Sequence, residues 1–164
     1  VKLEQSFDAP MRFVGRSLAD TLLELLRLEG DGSDRAKALV TRLKVPDSRF
    51  WYLRIEALAG ARAFDELAAL AAKRSPVGYA PFVRAFLDAR PRAMAQAKRV
   101  CPKVEDAQER LRLQCECEAW DDAAETARRL GTAAAAMAAL QAMGMRGSGT
   151  EARSKLEALA ASGR

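Results

Sequence analysis

Apolar side chains recur three and four residues apart along most of the chain, in short stretches cut by Gly, Pro or Asp. That spacing follows the helical turn and predicts a series of amphipathic helices. Between Ser17 and Glu29, Leu18, Leu22 and Leu25 share one face and Ala19, Leu23 and Leu26 the next, with Gly30 as the stop. Ser33 or Asp34 can cap a second helix to about Lys44, and Pro46 ends it because the residue before proline leaves the helical region. Asp47 or Ser48 then caps a helix to about Ala59, Gly60 breaks it, and Phe64 to Arg74 is helical again. Ser75-Pro76-Val77-Gly78 reads as a loop, and Tyr79 to Ala89 as a helix with Pro81 in its first turn. Further helices are predicted over Arg92–Val100, Val104–Glu118, Asp121–Leu130, Thr132–Met143 and Glu151–Ala161. No stretch alternates with period two between turn signals, so no strand is predicted.

Short helices with shorter connections pack as antiparallel hairpins. The expected fold is all-α, an α-solenoid of stacked antiparallel helical hairpins. A weak internal repeat supports it: Ala63-Phe64-Asp65-Glu66-Leu67-Ala68 matches Ala119-Trp120-Asp121-Asp122-Ala123-Ala124. In both windows an aromatic residue at a helix start precedes two acids, which favour the positive end of the helix dipole. Thr132 to Ala142 is nearly all small residues besides Met137 and Leu140. At about 25 cal/mol per Å2 of buried apolar area, such a hairpin is stabilised less than the Leu-rich first half. The expected organisation is a solenoid over 1–143, and a flexible linker with a terminal helix over 144–164.

Composition narrows the chemistry. The 164 residues carry 27 basic and 22 acidic side chains, a net charge of +5, with 30% charged and 6% aromatic residues. There is no histidine. That excludes a Ser-His-Asp triad, a Cys-His dyad, a His-ligated zinc site and a histidine acid–base step on this chain. Three cysteines are too few for a disulfide framework and suggest a reducing compartment. No apolar run is long enough to span a bilayer as a helix. A first residue of Val1, with no signal sequence before it, suggests a fragment of a longer protein.

Cys115-Glu116-Cys117, with Cys101 standing apart, reads as buried small thiols rather than a metal site, which needs four ligands. The acid pairs Asp65/Glu66 and Asp121/Asp122 sit at predicted helix starts, where carboxylates are ordinary. Gly144-Met145-Arg146-Gly147-Ser148-Gly149 neither follows a strand nor carries the Gly-Lys-Ser/Thr of a phosphate loop. No enzyme activity, metal, cofactor or small-molecule substrate is expected.

The charge is uneven. Ala61–Glu105 holds nine basic and four acidic residues, or +5, whereas the segments on either side are near neutral. This excess, from Lys73, Arg74 and Arg84 through Lys103, reads as a solvated helix face; the other reading is a helical nucleic-acid or anionic-membrane binder.

Two stretches stand out. In Lys44 to Ile55, Phe50, Leu53 and Ala57 form one helical stripe and Trp51, Ile55 and Leu58 the adjacent one, so this helix is apolar over more than half its circumference. Phe50, Trp51 and Tyr52 read as internal core, or as anchors against a partner. Arg49 stands at the helix start, where the dipole disfavours a cation; it needs a carboxylate, from Asp47 or from another chain. In Lys73 to Val83, Pro76 and Pro81 stiffen the entry, Gly78 permits a positive φ, and Tyr79 and Phe82 can clamp the linker onto the next helix.

Pro-Asp-x-Arg-Phe-Trp at Pro46 to Trp51 and Ser-Pro-Val-Gly-Tyr-x-Pro-Phe-Val at Ser75 to Val83 resemble the C-terminal region of the Vps-sixteen family. These are subunits of the class C core of the HOPS and CORVET tethering complexes. Phe13-Val14-Gly15-x-Ser17-Leu18-x-Asp20-Thr21 and Ala57-Leu58-Ala59 support the likeness, which covers roughly Phe13 to Leu130, while the alanine-rich tail departs from it. The resemblance implies a non-catalytic α-solenoid that recruits a Sec1/Munc18-family protein, Vps-thirty-three, into the tether beside the other class C subunits. It implies SNARE-mediated fusion at late endosomes and the vacuole or lysosome. The protein would be cytoplasmic, peripheral on those membranes and linked to them only through the complex. The family's contact arginine corresponds to Arg49, with Phe50 and Trp51 as further partner-binding residues. A paralogous tether pairing with a different Sec1/Munc18 protein is the alternative within the same class.

Overall fold

A computed structural model describes residues 15–146 and 150–162. Among them the regular structure is helical throughout: α1 (Leu18–Glu29), α2 (Asp34–Arg42), α3 (Asp47–Gly60), α4 (Phe64–Ala72), α5 (Ala80–Asp88), α6 (Met94–Val100), α7 (Ala107–Glu116), α8 (Trp120–Leu130), α9 (Ala133–Arg146) and α10 (Thr150–Ser162). A short 3₁₀ turn, Cys101–Lys103, follows α6. Every helix expected from periodicity is present, with ends shifted by a few residues, and α9 continues past the expected stop at Met143. Residues 147–149 of the expected linker, and Phe13 and Val14 upstream, lie outside the described residues.

The chain divides into two compact units, Val1–Ala63 and Phe64–Arg164. In the first, α1 packs on α2 and α3. Leu22, Leu25 and Leu26 of α1, Ala36 and Leu39 of α2, and Phe50, Leu53 and Ala57 of α3 make its core. In the second, helices pack on neighbours one and two along the chain: α5 on α6 and α7, α7 on α8 and α9, and α10 on α8 and α9. That is the stacking of a helical solenoid, and the fold is all-α. Its C-terminal core is largely alanine: Ala123, Ala127, Ala136 and Ala139 are fully buried, with Leu156 of α10 and Met143 among them.

Local chemistry explains the helix ends. Ser17 caps α1 by accepting from Asp20 N at 3.1 Å, and Ser33 caps α2 by accepting from Ala36 N at 3.0 Å. α3 departs from expectation: its N-cap is Pro46, with no side-chain cap, so neither Asp47 nor Ser48 does this work. Gly60 is likewise not the break but the last residue of α3; the chain turns at Arg62, with φ of 57°.

The repeated windows share this turn. After α3, Ala63 N donates to Leu58 O at 3.0 Å and Arg62 is left-handed; after α7, Ala119 N donates to Gln114 O at 2.9 Å and Glu118 has φ of 57°. Both are Schellman-type endings with a non-glycine residue in the left-handed position. The repeat is therefore a unit of turn plus helix start. Its aromatic residues follow at once: Phe64 lies 6.5 Å from the Phe86 ring, and Trp120 packs on the alanine core.

Candidate functional site

α3 carries both the aromatic cluster and the arginine singled out by the sequence. Successive residues on a helix are rotated by about 100°, so neighbours in sequence face different surroundings. Phe50 is buried in the core formed with α1 and α2, and Trp51, Ile55 and Leu58 on the adjacent stripe are buried too. Tyr52, read as core beside them, is 52% exposed. Ser48, Arg49, Tyr52 and Glu56 recur at helical spacing and make the outward stripe of the helix.

Arg49 is exposed and, among the described residues, forms no ion pair; Asp47, two residues before it, does not hold it. A cation in the first turn is disfavoured by the helix dipole, and the acid of that turn, Asp47, forms no ion pair with it. The structure thus separates the three residues read together. Arg49 points outward, whereas Phe50 and Trp51 are buried on other faces of the helix.

The two buried aromatics have a lock that sequence reasoning missed. Arg54 binds Asp31 through two parallel hydrogen bonds, from Nε and from one terminal nitrogen. Its guanidinium also lies 5.0 Å from the Trp51 ring centroid and 5.8 Å from that of Phe50. The side chains are only 13% and 22% exposed for Arg54 and Asp31. The pair fixes α3 against the loop between α1 and α2. The available signals were an arginine three and four residues after two aromatics, and an acid between Gly30 and Gly32.

The second stretch is a joint, as its prolines suggested. Gly78 has φ of 70°, Tyr79 and Phe82 rings lie 6.4 Å apart, and the Tyr79 hydroxyl donates to Lys73 O at 3.2 Å. Lys103 Nζ donates to Ala71 O at 3.0 Å and lies 5.2 Å from the Tyr79 ring centroid.

The other candidates hold no reacting constellation. Cys101, Cys115 and Cys117 are buried and form no disulfide. Cys101 Sγ donates to the Arg110 carbonyl at 3.8 Å, and the neighbouring Cys117 thiol, reinforced by burial, pushes Cys101 well above the usual thiol range. Among the described residues no group of three or more His, Cys, Asp or Glu side chains could hold a metal ion. An apolar groove of about 480 Å³ is lined by Leu111, Cys115, Leu130, Ala135, Ala138 and Ala142. The charged residues on its rim, Arg112 and Glu116, are engaged with each other at 3.1 Å. No helix among the described residues is long and apolar enough to cross a membrane.

Comparison with known proteins gives this surface a context. A vacuolar protein sorting-associated protein 16 homolog of Dictyostelium discoideum is 36% identical over 95 residues, covering 57% of this chain and 11% of the relative. The Drosophila melanogaster homolog is 39% identical over 93 residues, 56% of this chain and 11% of the relative. Protein VACUOLELESS1 of Arabidopsis thaliana is 34% identical over 115 residues, 67% of this chain and 13% of the relative. The chain therefore spans only a small part of the length of the relatives it matches. The family model described as "Vps16, C-terminal region" matches residues 1–148, most of the sequence. The chain, with its stacked helices, belongs to the Vps16 C-terminal region family.

Proposed function

We propose that this chain is a non-catalytic docking platform for a Sec1/Munc18-family protein within a HOPS- or CORVET-type tether. It would serve SNARE-mediated fusion at endosomes and the vacuole or lysosome, reaching those membranes as a peripheral part of the complex. The relatives carry vacuolar protein sorting in their names, which supports this setting. Arg49 is the contact residue in this reading, on the first unit.

The observation that carries the reading is the contrast between the two arginines of α3. Arg54 is consumed internally by Asp31 and two aromatic faces, while Arg49 stands exposed and unpaired among the described residues. A partner carboxylate is what that position lacks. Phe50 and Trp51, buried on other faces, anchor the helix that presents it. An Arg is well suited to such a site, because its planar fork meets a carboxylate with two bonds at once.

The test is co-purification of the chain with the Sec1/Munc18 partner, wild type beside Arg49→Glu. Reversal leaves the partner's carboxylate facing a like charge, which costs about 2–5 kcal/mol where the pair is buried. Loss of capture by a variant of unchanged helicity supports the assignment; equal capture removes it.

A further inference from the structure

The positive excess of the middle segment resolves in the second unit into cations without acidic partners. Elsewhere arginines and lysines are mostly engaged: Arg27 with Glu56, Arg54 with Asp31, Arg128 and Arg129 with Glu125, Lys155 with Glu151. From Lys73 to Lys103, Arg84 pairs with Glu109 and Arg90 with Glu116. Lys73, Arg74, Lys98 and Arg99 are exposed and enter no ion pair among the described residues.

These cations are gathered by the joint described above. Lys103 reaches the Ala71 carbonyl near the end of α4, and the Tyr79 hydroxyl holds the Lys73 carbonyl. Cys101–Lys103 carries α6 onward as a 3₁₀ turn, so Lys98 and Arg99 stand about one helical turn before Lys103. The ends of α4 and α6 thus meet at this joint, with Lys73 and Arg74 just after α4, Lys98 and Arg99 in the last turn of α6 and Lys103 in the turn beyond it. The carboxylates next in sequence are Glu105 and Asp106, and Asp106 is occupied in accepting from Gln108 N and Glu109 N at 2.8 and 3.1 Å. The dipole of α6 favours its two cations but does not neutralise them.

We propose that this basic cluster is a contact for an anionic phospholipid surface. A sheet of phosphates can meet cations on exposed helix ends without a groove, and clusters of this size attract acidic leaflets within a Debye length. A single-stranded nucleic acid would need aromatic faces for its bases. The Tyr79 ring in the cluster lies beside the Lys103 ammonium. The inference is independent of Arg49, which belongs to the other unit.

The experiment is co-sedimentation of the chain with phosphatidylcholine vesicles, with and without phosphatidylserine. Binding is expected only with phosphatidylserine, falling about tenfold or more between about 50 and about 500 mM salt. Lys98→Glu/Arg99→Glu should abolish it and Lys98→Ala/Arg99→Ala reduce it, whereas Arg42→Glu, a charge reversal on α2, should not. The Lys98→Ala/Arg99→Ala variant should still capture the Sec1/Munc18 partner, which separates this proposal from the docking reading. No binding to phosphatidylserine vesicles, binding unchanged by salt or in the reversed variant, or capture of a homopolymer RNA in place of vesicles would each overturn it.

Discussion

The Arg54–Asp31 pair is the contact on which the geometry of α3 most depends, and its strength can be worked from its surroundings. Exposed ion pairs contribute about 0.2–1 kcal/mol, whereas removing one partner of a fully buried pair costs about 3–5 kcal/mol. At 13% and 22% exposure the two side chains lie between these limits, nearer the buried one. Two hydrogen bonds in parallel raise the value further, and the expected coupling is about 2 kcal/mol. A double-mutant cycle of Asp31→Ala and Arg54→Ala isolates it. The stacking of Arg54 on Trp51 and Phe50 is lost in both legs that remove the arginine and cancels. Urea unfolding of each variant in a Trp120→Phe background lets Trp51 report the first unit alone. A coupling below about 0.5 kcal/mol would refute the view that the pair locks the helix, because it would be that of an ordinary surface contact.

Other consequences can be measured separately. Glu118→Gly should stabilise the second unit by about 0.5 kcal/mol, since glycine removes left-handed strain but adds freedom to the unfolded chain, while Glu118→Val should destabilise it; urea midpoints give both signs. Leu156→Ala removes a fully buried side chain from a core built largely of alanine and should cost about 2–5 kcal/mol, seen as faster amide exchange along α10. Hydrogen bonds from Arg128, then Arg129, hold the Glu125 carboxyl at about 2. Its contribution is therefore present above the ordinary carboxylate range and lost as pH falls through about 2. A carboxyl NMR titration should show that midpoint, and Arg128→Ala/Arg129→Ala should return it to the usual range.

The helices were legible because their signals are local. Leu22, Leu25 and Leu26 mark the buried face of α1 by spacing alone, and Phe50, Leu53 and Ala57 do the same for α3. What escaped was non-local or conformationally unusual. Asp31 and Arg54 are 23 positions apart, and nothing in either neighbourhood announces the other. Arg62 and Glu118 adopt positive φ without being glycine, so the break was assigned to Gly60, which remains helical. Tyr52 was grouped with its aromatic neighbours, but one further step around the helix carries it outward. Arg49, Phe50 and Trp51 likewise read as one motif in sequence and become one exposed and two buried side chains in space. The charge excess was visible as a count, yet its placement at the adjoining ends of α4 and α6 depends on how these helices pack.

The central claim is that Arg49 holds a carboxylate of another protein. Calorimetric titration of the chain with the Sec1/Munc18 partner tests it most directly, comparing wild type, Arg49→Lys and Arg49→Glu at matched helicity. The account predicts partial loss with lysine, which keeps the charge but not the two-pronged geometry, and weakening of about 30-fold or more with glutamate. Indistinguishable affinities across the three would contradict it.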